Sequence, residues 1–353
     1  VGPVAGLAAA LAVVGVLFAL PEPARDAAAV PLGPTAVALP TFHGPPTADT
    51  PGVLADSTIY TPRMYLDPQT SVGLAATADA RSLRLLLRTA TKLVELRRLE
   101  VGQNPQFDGF AVSGDTLVWA ETLASSSTSM WRANWHSGTR PVMITDAAGN
   151  ATFAGSQYDV VIGDGRVHWT AQAADGATEV RSVPLDAVGD QDVQVQRLTG
   201  DFGLSQWPWV VSHGGRGKSV QLRNLDTGRT VTVATAANQN ATCTPTWCRL
   251  DTLASTGLKG IDAKRPDGST STHVAGAEAT PAIPDATVLD RYVPLITDQP
   301  VGTGLSLFDL TTGDTKLIAV NADNIRSAGS MLWWSTTSED GVEWHAIDLS
   351  TLA

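Results

Sequence analysis

Residues 220–234 read VQLRNLDTGRTVTVA, and residues 305–320 read LSLFDLTTGDTKLIAV. The two align without a gap: Leu222 with Leu307, Leu225 with Leu310, Gly228 with Gly313. In the first copy Val220 and Leu222 alternate with Gln221 and Arg223, and beyond the turn Val231 and Val233 flank Thr232. A period of two sends successive side chains to opposite faces of an extended chain, so each copy predicts strand, turn, strand. The glycine supplies the positive φ that a tight hairpin needs.

The hairpin recurs more loosely. Leu185 lies 40 residues before Leu225, Gly268 lies 40 after Gly228, Gly138 lies 90 before it, and Leu349 lies 39 past Leu310. A short aromatic or aliphatic strand precedes each hairpin. Trp119, Trp169, Trp209, Trp247, Val293 and Trp333 anchor these strands, with steps of 50, 40, 38, 46 and 40 residues. One further unit fits before them, with SVGLAATA, RSLRLLLR and TKLVELRRL as its strands. Seven units of three or four short strands predict an all-β, seven-bladed β-propeller over residues 57–352. One such sheet has two faces to cover and cannot bury both alone; sheets packed radially cover one another. The tryptophans then act as wedges between neighbouring blades. Pro208 and Pro294 are read as lying in or beside first, channel-lining strands, where a missing N–H costs little. The last unit is one strand short, and either residues 35–40 or the stretch 59–64 is expected to complete it. The rival architecture is a six-bladed ring, with residues 57–101 separate and residues 81–100 helical.

These units resemble WD-repeat-like and TolB-like propellers and related bacterial quinoprotein-like repeats. The resemblance rests on LDTGRT (225–230) and DLTTGDT (309–315) after a strand, and it covers residues 57–352. It implies architecture and says almost nothing of function. The eukaryotic pattern of a Gly-His pair closed by Trp-Asp is absent from the units.

Residues 1–20, VGPVAGLAAALAVVGVLFAL, carry no charge. At about 1.5 Å per residue they just reach across the hydrocarbon layer of a bilayer, which predicts a transmembrane anchor, with a secretory signal peptide as its rival. Residues 21–56 are rich in proline and alanine and read as a tether. Cys243 and Cys248, with four residues between them in TCTPTWCRL, are expected to form a disulfide and hence to report an oxidising compartment. Together these features place the propeller outside the cytoplasmic membrane, as a single-pass cell-membrane protein of a bacterial envelope.

The chain has 353 residues, 43% apolar and 17% charged, with a net charge of −11. So acidic a surface repels nucleic acid. GGRGKS at 214–219 lacks the first glycine of a phosphate loop, and its flanks are strands. The six histidines form no pair with ligand spacing, so no metal or cofactor is predicted. Many aspartates, Asp108 among them, fall where turns are expected. Asp201, Asp251, Asp290 and Asp298 fall near predicted first-strand ends, where a ring can gather carboxylates for glycosidase chemistry. No catalytic residue is assigned. Trp207, Trp209 and Trp247 are the candidate binding residues, with Trp207 and Trp209 read as sharing one side of a strand.

The functional expectation is therefore a non-catalytic protein-interaction scaffold held near the membrane, with an envelope protein as partner. The alternative is a carbohydrate-binding or carbohydrate-active propeller. A scaffold should show a broad apolar or aromatic patch on a face or rim. An enzyme should show carboxylates converging in a concave pocket at the ring mouth.

Overall fold

The computed structural model describes residue 39 and residues 47–124, 128–137, 140–189, 193–299, 302–339 and 341–352. The expected anchor, residues 1–20, lies outside them. Among the described residues no helix is long and apolar enough to cross a membrane.

Seven four-stranded antiparallel sheets form a closed ring. Blade 1 spans residues 61–100, blade 2 106–145, blade 3 160–198, blade 4 202–233, blade 5 239–275 and blade 6 279–320. Blade 7 takes three strands from 323–348 and its fourth from Ala48–Pro51, which pairs antiparallel with Gly341–Asp348. The first strand of each blade lies innermost, and the first strands of blades 1, 2, 3 and 7 touch their neighbours around the axis. The two hairpins that open the sequence reading are the third and fourth strands of blades 4 and 6, with Gly228 and Gly313 at φ of 71° and 78°.

Apolar clusters explain why the ring holds. Leu85 and Leu87 of blade 1 pack with Leu117 and Trp119 of blade 2. Val118 and Met130 of blade 2 meet Val167 and Trp169 of blade 3. The same arrangement continues around to Trp333 and Trp344 of blade 7, which meet Tyr65 of blade 1. Trp119, Trp169 and Trp333 are at most 1% exposed. Each is a wedge whose burial contributes about 3 kcal/mol or more. A buried charge pair adds to the first seam: Glu121 of blade 2 accepts from Arg97 Nε and Nη2 of blade 1 at 2.7 and 2.8 Å, and from Trp119 Nε1 at 3.0 Å.

The closing strand is tied at its side chains as well. Asp49 bonds His345 Nδ1 at 2.8 Å, and His345 Nε2 bonds Thr336 Oγ1 at 2.7 Å. Thr336 lies within a regular strand opposite Glu343, so this row is a cross-strand tie across the seam of the ring.

The structure decides for the seven-bladed reading over its six-bladed rival: residues 57–101 belong to the ring, and 81–100 is a hairpin, Ser82–Arg88 paired with Leu93–Glu100. A bulge at Leu85/Leu86 breaks the strand alternation there, which is why the apolar spacing partly suited a helix. The ring-closing strand is Ala48–Pro51; Thr61–Asp67 is instead the inner strand of blade 1, and residues 35–38 and 40 lie outside the described residues. Finally, the aromatic anchors lie on or beside second strands. Trp119 is in Thr116–Thr122 and Trp333 in Met331–Ser338, each with a channel-lining strand before it. Pro294 sits in such a second strand, and its carbonyl accepts from Ala282 N, while Pro208 sits in the turn before one.

Candidate functional site

The inner strand of blade 3 is interrupted. Residues 150–152 pair with the strand Arg166–Gln172, and Val160–Gly163 resume the pairing. Ala151 faces Ala171 and Val160 faces Trp169, so the residues between them are extruded from the sheet toward the channel. Blade 6 carries a matching insertion, 282–291, between its first and second strands. Its Ile283, Ala286 and Val288 are buried, and Leu289 and Asp290 both take positive φ, at 56° and 53°.

The two insertions meet. Ser156 Oγ donates to Asp285 Oδ1 at 2.5 Å, and Gln157 N donates to Asp285 Oδ2 at 3.1 Å. Blade 5 braces the junction: Arg249 Nη1 donates to the carbonyls of Ile283 and Asp285 at 3.1 and 2.6 Å. Asp290 accepts from Gln206 Nε2 of blade 4 at 3.1 Å and from Thr246 Oγ1 of blade 5 at 3.0 Å. On the far side, Gly329 N of blade 7 donates to Gln157 Oε1 at 3.1 Å. A polar latch made by five blades thus narrows the channel. Burial raises the proton affinity of Asp285, which its hydrogen bonds and the Arg249 charge oppose.

Beside the latch lies a cavity of about 100 Å³. Blade 1 contributes Arg63, blade 2 Asp108, the blade 3 bulge Gln157 and Asp159, and blade 7 Arg326 and Trp333. Met64, Phe107, Phe110 and Phe153 give it apolar walls. Asp159 accepts from Ala154 N and Gly155 N at 3.0 and 2.7 Å, closing the bulge on itself. Burial, with smaller repulsion from Asp285 and Asp108, pushes its carboxyl up to about 6. Burial and the like charge of Arg326 lower the proton affinity of the Arg63 guanidinium, and Asp108 opposes them.

The residues singled out in the sequence take other positions. Trp207 lies in the turn before the second strand of blade 4; it stacks on His168 of blade 3 at 3.4 Å and donates to Asp164 Oδ2 at 2.8 Å. Gly163 permits this, since a Cβ there would stand 2.5 Å from the ring. Trp209 opens the next strand and packs against a separate cluster, with Val220, Leu222 and the cysteines. The two tryptophans therefore do not share one strand face. Trp209 borders a groove of about 420 Å³ between blades 4 and 5. Trp247 is 4% exposed, donates to the Asp290 carbonyl at 2.9 Å, and carries the Arg265 guanidinium over its ring at 3.9 Å. Cys243 and Cys248 are disulfide-bonded across a hairpin of blade 5. Asp201 is paired with His213 and Asp251 with Arg249, so those aspartates do not converge.

Asp108 was read as a turn residue, but it lies in the channel-lining strand Gln106–Ser113. Arg63, Asp159, Asp285 and Arg326 escaped the sequence reading. Arg63 and Arg326 are each the one basic residue of a short strand, and that was the only available signal.

No protein-family model matches the chain, and no curated protein does. Solved structures do match. A puromycin-hydrolyzing peptidase of Mycobacterium tuberculosis matches with 15% identity and a TM-score of 0.55, over 90% of this chain and 55% of that one. A prolyl endopeptidase, from work on inter-domain dynamics in catalysis and specificity, matches with 12% identity and a TM-score of 0.54, over 86% and 48%. An uncharacterized Listeria monocytogenes protein matches with 10% identity and a TM-score of 0.54, over 85% and 95%. This chain thus spans about half the length of the peptidases it matches. Propellers of the TolB type are among the matched folds as well. The matched structures whose activity is stated are peptidases and a hydrolase, and this overturns the expectation of a non-catalytic scaffold. The site agrees with that correction: charged groups converge in a concave cavity at the channel, while large exposed apolar residues such as Val53, Val188 and Val320 are scattered among different blades and loops. The chain is a seven-bladed β-propeller, and the solved structures it matches include peptidases of which it covers about half.

Proposed function

We propose that this chain is a peptide-handling propeller of the peptidase type. It takes short peptides at its channel and controls their access to a hydrolytic centre supplied by a second domain or partner. The observation that carries this reading is the latched channel. Two insertions, absent from the other blades, leave their sheets to meet over the axis. Beside them lies a cavity bordered by charged side chains from four blades: Arg63, Asp108, Asp159 and Arg326. Peptidases among the matched folds support it, one of them from work concerned with motion between domains. The proposal keeps a membrane anchor at residues 1–20 and an extracytoplasmic propeller, with the hydrolytic partner in the envelope. The disulfide supports that compartment.

The test is fluorescence polarisation of the full chain in mild detergent with N-terminally labelled tri- to pentapeptides. Saturable binding that an unlabelled short peptide competes away, and that a folded protein of the same composition does not, is the expected result. Absence of saturable binding up to millimolar peptide refutes the reading.

A further inference from the structure

Three buried side-chain polar atoms without a hydrogen-bond partner belong to residues around one cavity: Arg63 Nε, Ser327 Oγ and Trp333 Nε1. Two are obligate donors, and the third is a hydroxyl that can donate. Trp333 is 1% exposed, so no bulk water reaches its indole N–H. Native interiors pair nearly all such groups, and three orphans around about 100 Å³ of space stand outside that pattern. The surplus has a sign. Arg326 also borders the cavity, and among the described residues neither it nor Arg63 has a carboxylate within ion-pair distance. The acidic wall does not fill the need. Asp159 is occupied by the amides of its own bulge, and Asp108 acts on Arg63 only at longer range.

We infer that this cavity binds a carboxylate-type anion, and that its occupant, resting on the peptide-handling reading, is the C-terminal carboxylate of a short peptide. A carboxylate offers two oxygens with four acceptor directions, which suits the two arginines bordering the cavity and the indole N–H of Trp333 beside it. The cavity holds the carboxylate and little more, while Met64, Phe107 and Phe153 bound it with apolar surface for the adjoining side chain. The groove between blades 4 and 5 is larger, but its Arg265 is already committed to the Thr246 carbonyl and the Trp247 ring.

The test is calorimetric titration of the full chain with acetyl-Ala-Ala-Ala, with the same peptide as its C-terminal amide, with acetate and with inorganic phosphate. The free acid should bind at least about tenfold more tightly than the amide, the effect of one lost hydrogen bond to a charged group. Arg326→Gln should weaken the acid about tenfold and leave the amide unchanged. Trp333→Phe keeps the ring, removes only the donor, and should act in the same direction. Circular dichroism and the melting temperature identify any variant that fails to fold, and Arg326, exposed to the channel, tolerates replacement best. Equal binding of acid and amide, unmoved by Arg326→Gln, overturns the carboxylate site and leaves the peptide-handling reading standing. Binding of acetate or phosphate that Arg326→Gln abolishes, with no peptide bound, keeps the anion site and overturns the peptide reading. Binding of none of the four overturns both.

Discussion

Replacing Asp285 by alanine should open the channel latch without unfolding the ring. The carboxylate accepts from Ser156 Oγ and Gln157 N, and each such bond to a charged group contributes about 1.5–3 kcal/mol. Part of that gain is offset, because burial raises the proton affinity of Asp285 and so disfavours its charged form. A net loss of about 2 kcal/mol follows, equivalent to about a 30-fold rise in the open population of the blade 3 bulge. The blade 6 insertion should stay in place, because Arg249 binds the backbone carbonyls of Ile283 and Asp285, which alanine keeps. Native-state hydrogen exchange resolved at single amides is the assay. The Gln157 amide should exchange about 30-fold faster, while amides of Thr116–Thr122 in the core of blade 2 stay unchanged. Ser156→Ala removes one of the two bonds and should give a rise of about tenfold. A change at Gln157 below about threefold refutes the latch. A uniform rise across every blade would show that Asp285 supports the whole fold rather than the junction.

Two further outcomes follow from the seams and the cavity. Glu121→Ala strands the half-buried Arg97 and the indole N–H of the buried Trp119, so it should cost about 3–5 kcal/mol in urea unfolding; a loss below about 1 kcal/mol would show that the seam relies on apolar packing alone. Asp159 binds its proton more tightly folded than unfolded, so its stabilising contribution is complete below the ordinary aspartate value near 3.8 and is lost as pH rises through about 6. Facing Asp108, Asp285 and the two arginines, it should contribute a slope of up to about 3 kcal/mol over that window; Asp159→Asn should flatten it, and an unchanged pH profile of unfolding would refute the assignment.

The ring was legible in the sequence because its determinants are local and repeated. Most blades rewrite the same alternation, the same turn glycine and the same aromatic strand, so a period can be measured without knowing what touches what. The nearby cysteine pair was equally visible. The first strands were harder. Several line a polar channel rather than a core, as in QNATC at 239–243 and DNIRSA at 323–328, and carry little apolar signature, so the phase of the blades slipped by one strand. The ring-closing strand was hidden for a related reason: Ala48–Pro51 is four residues long and takes its meaning only from the edge of Gly341–Asp348, nearly three hundred residues away.

The site belongs wholly to the tertiary structure. Arg63, Gln157, Arg326 and Trp333 come from three blades, and nothing in their separate neighbourhoods distinguishes them from ordinary strand and loop residues. Ser156 and Asp285 are 129 residues apart, and only closure of the circle brings them to 2.5 Å. Sequence periodicity fixes what each sheet does to its neighbour. What gathers at the axis depends on which side chains the closed ring turns inward, and whether those charges find partners there is decided only when all the blades have met.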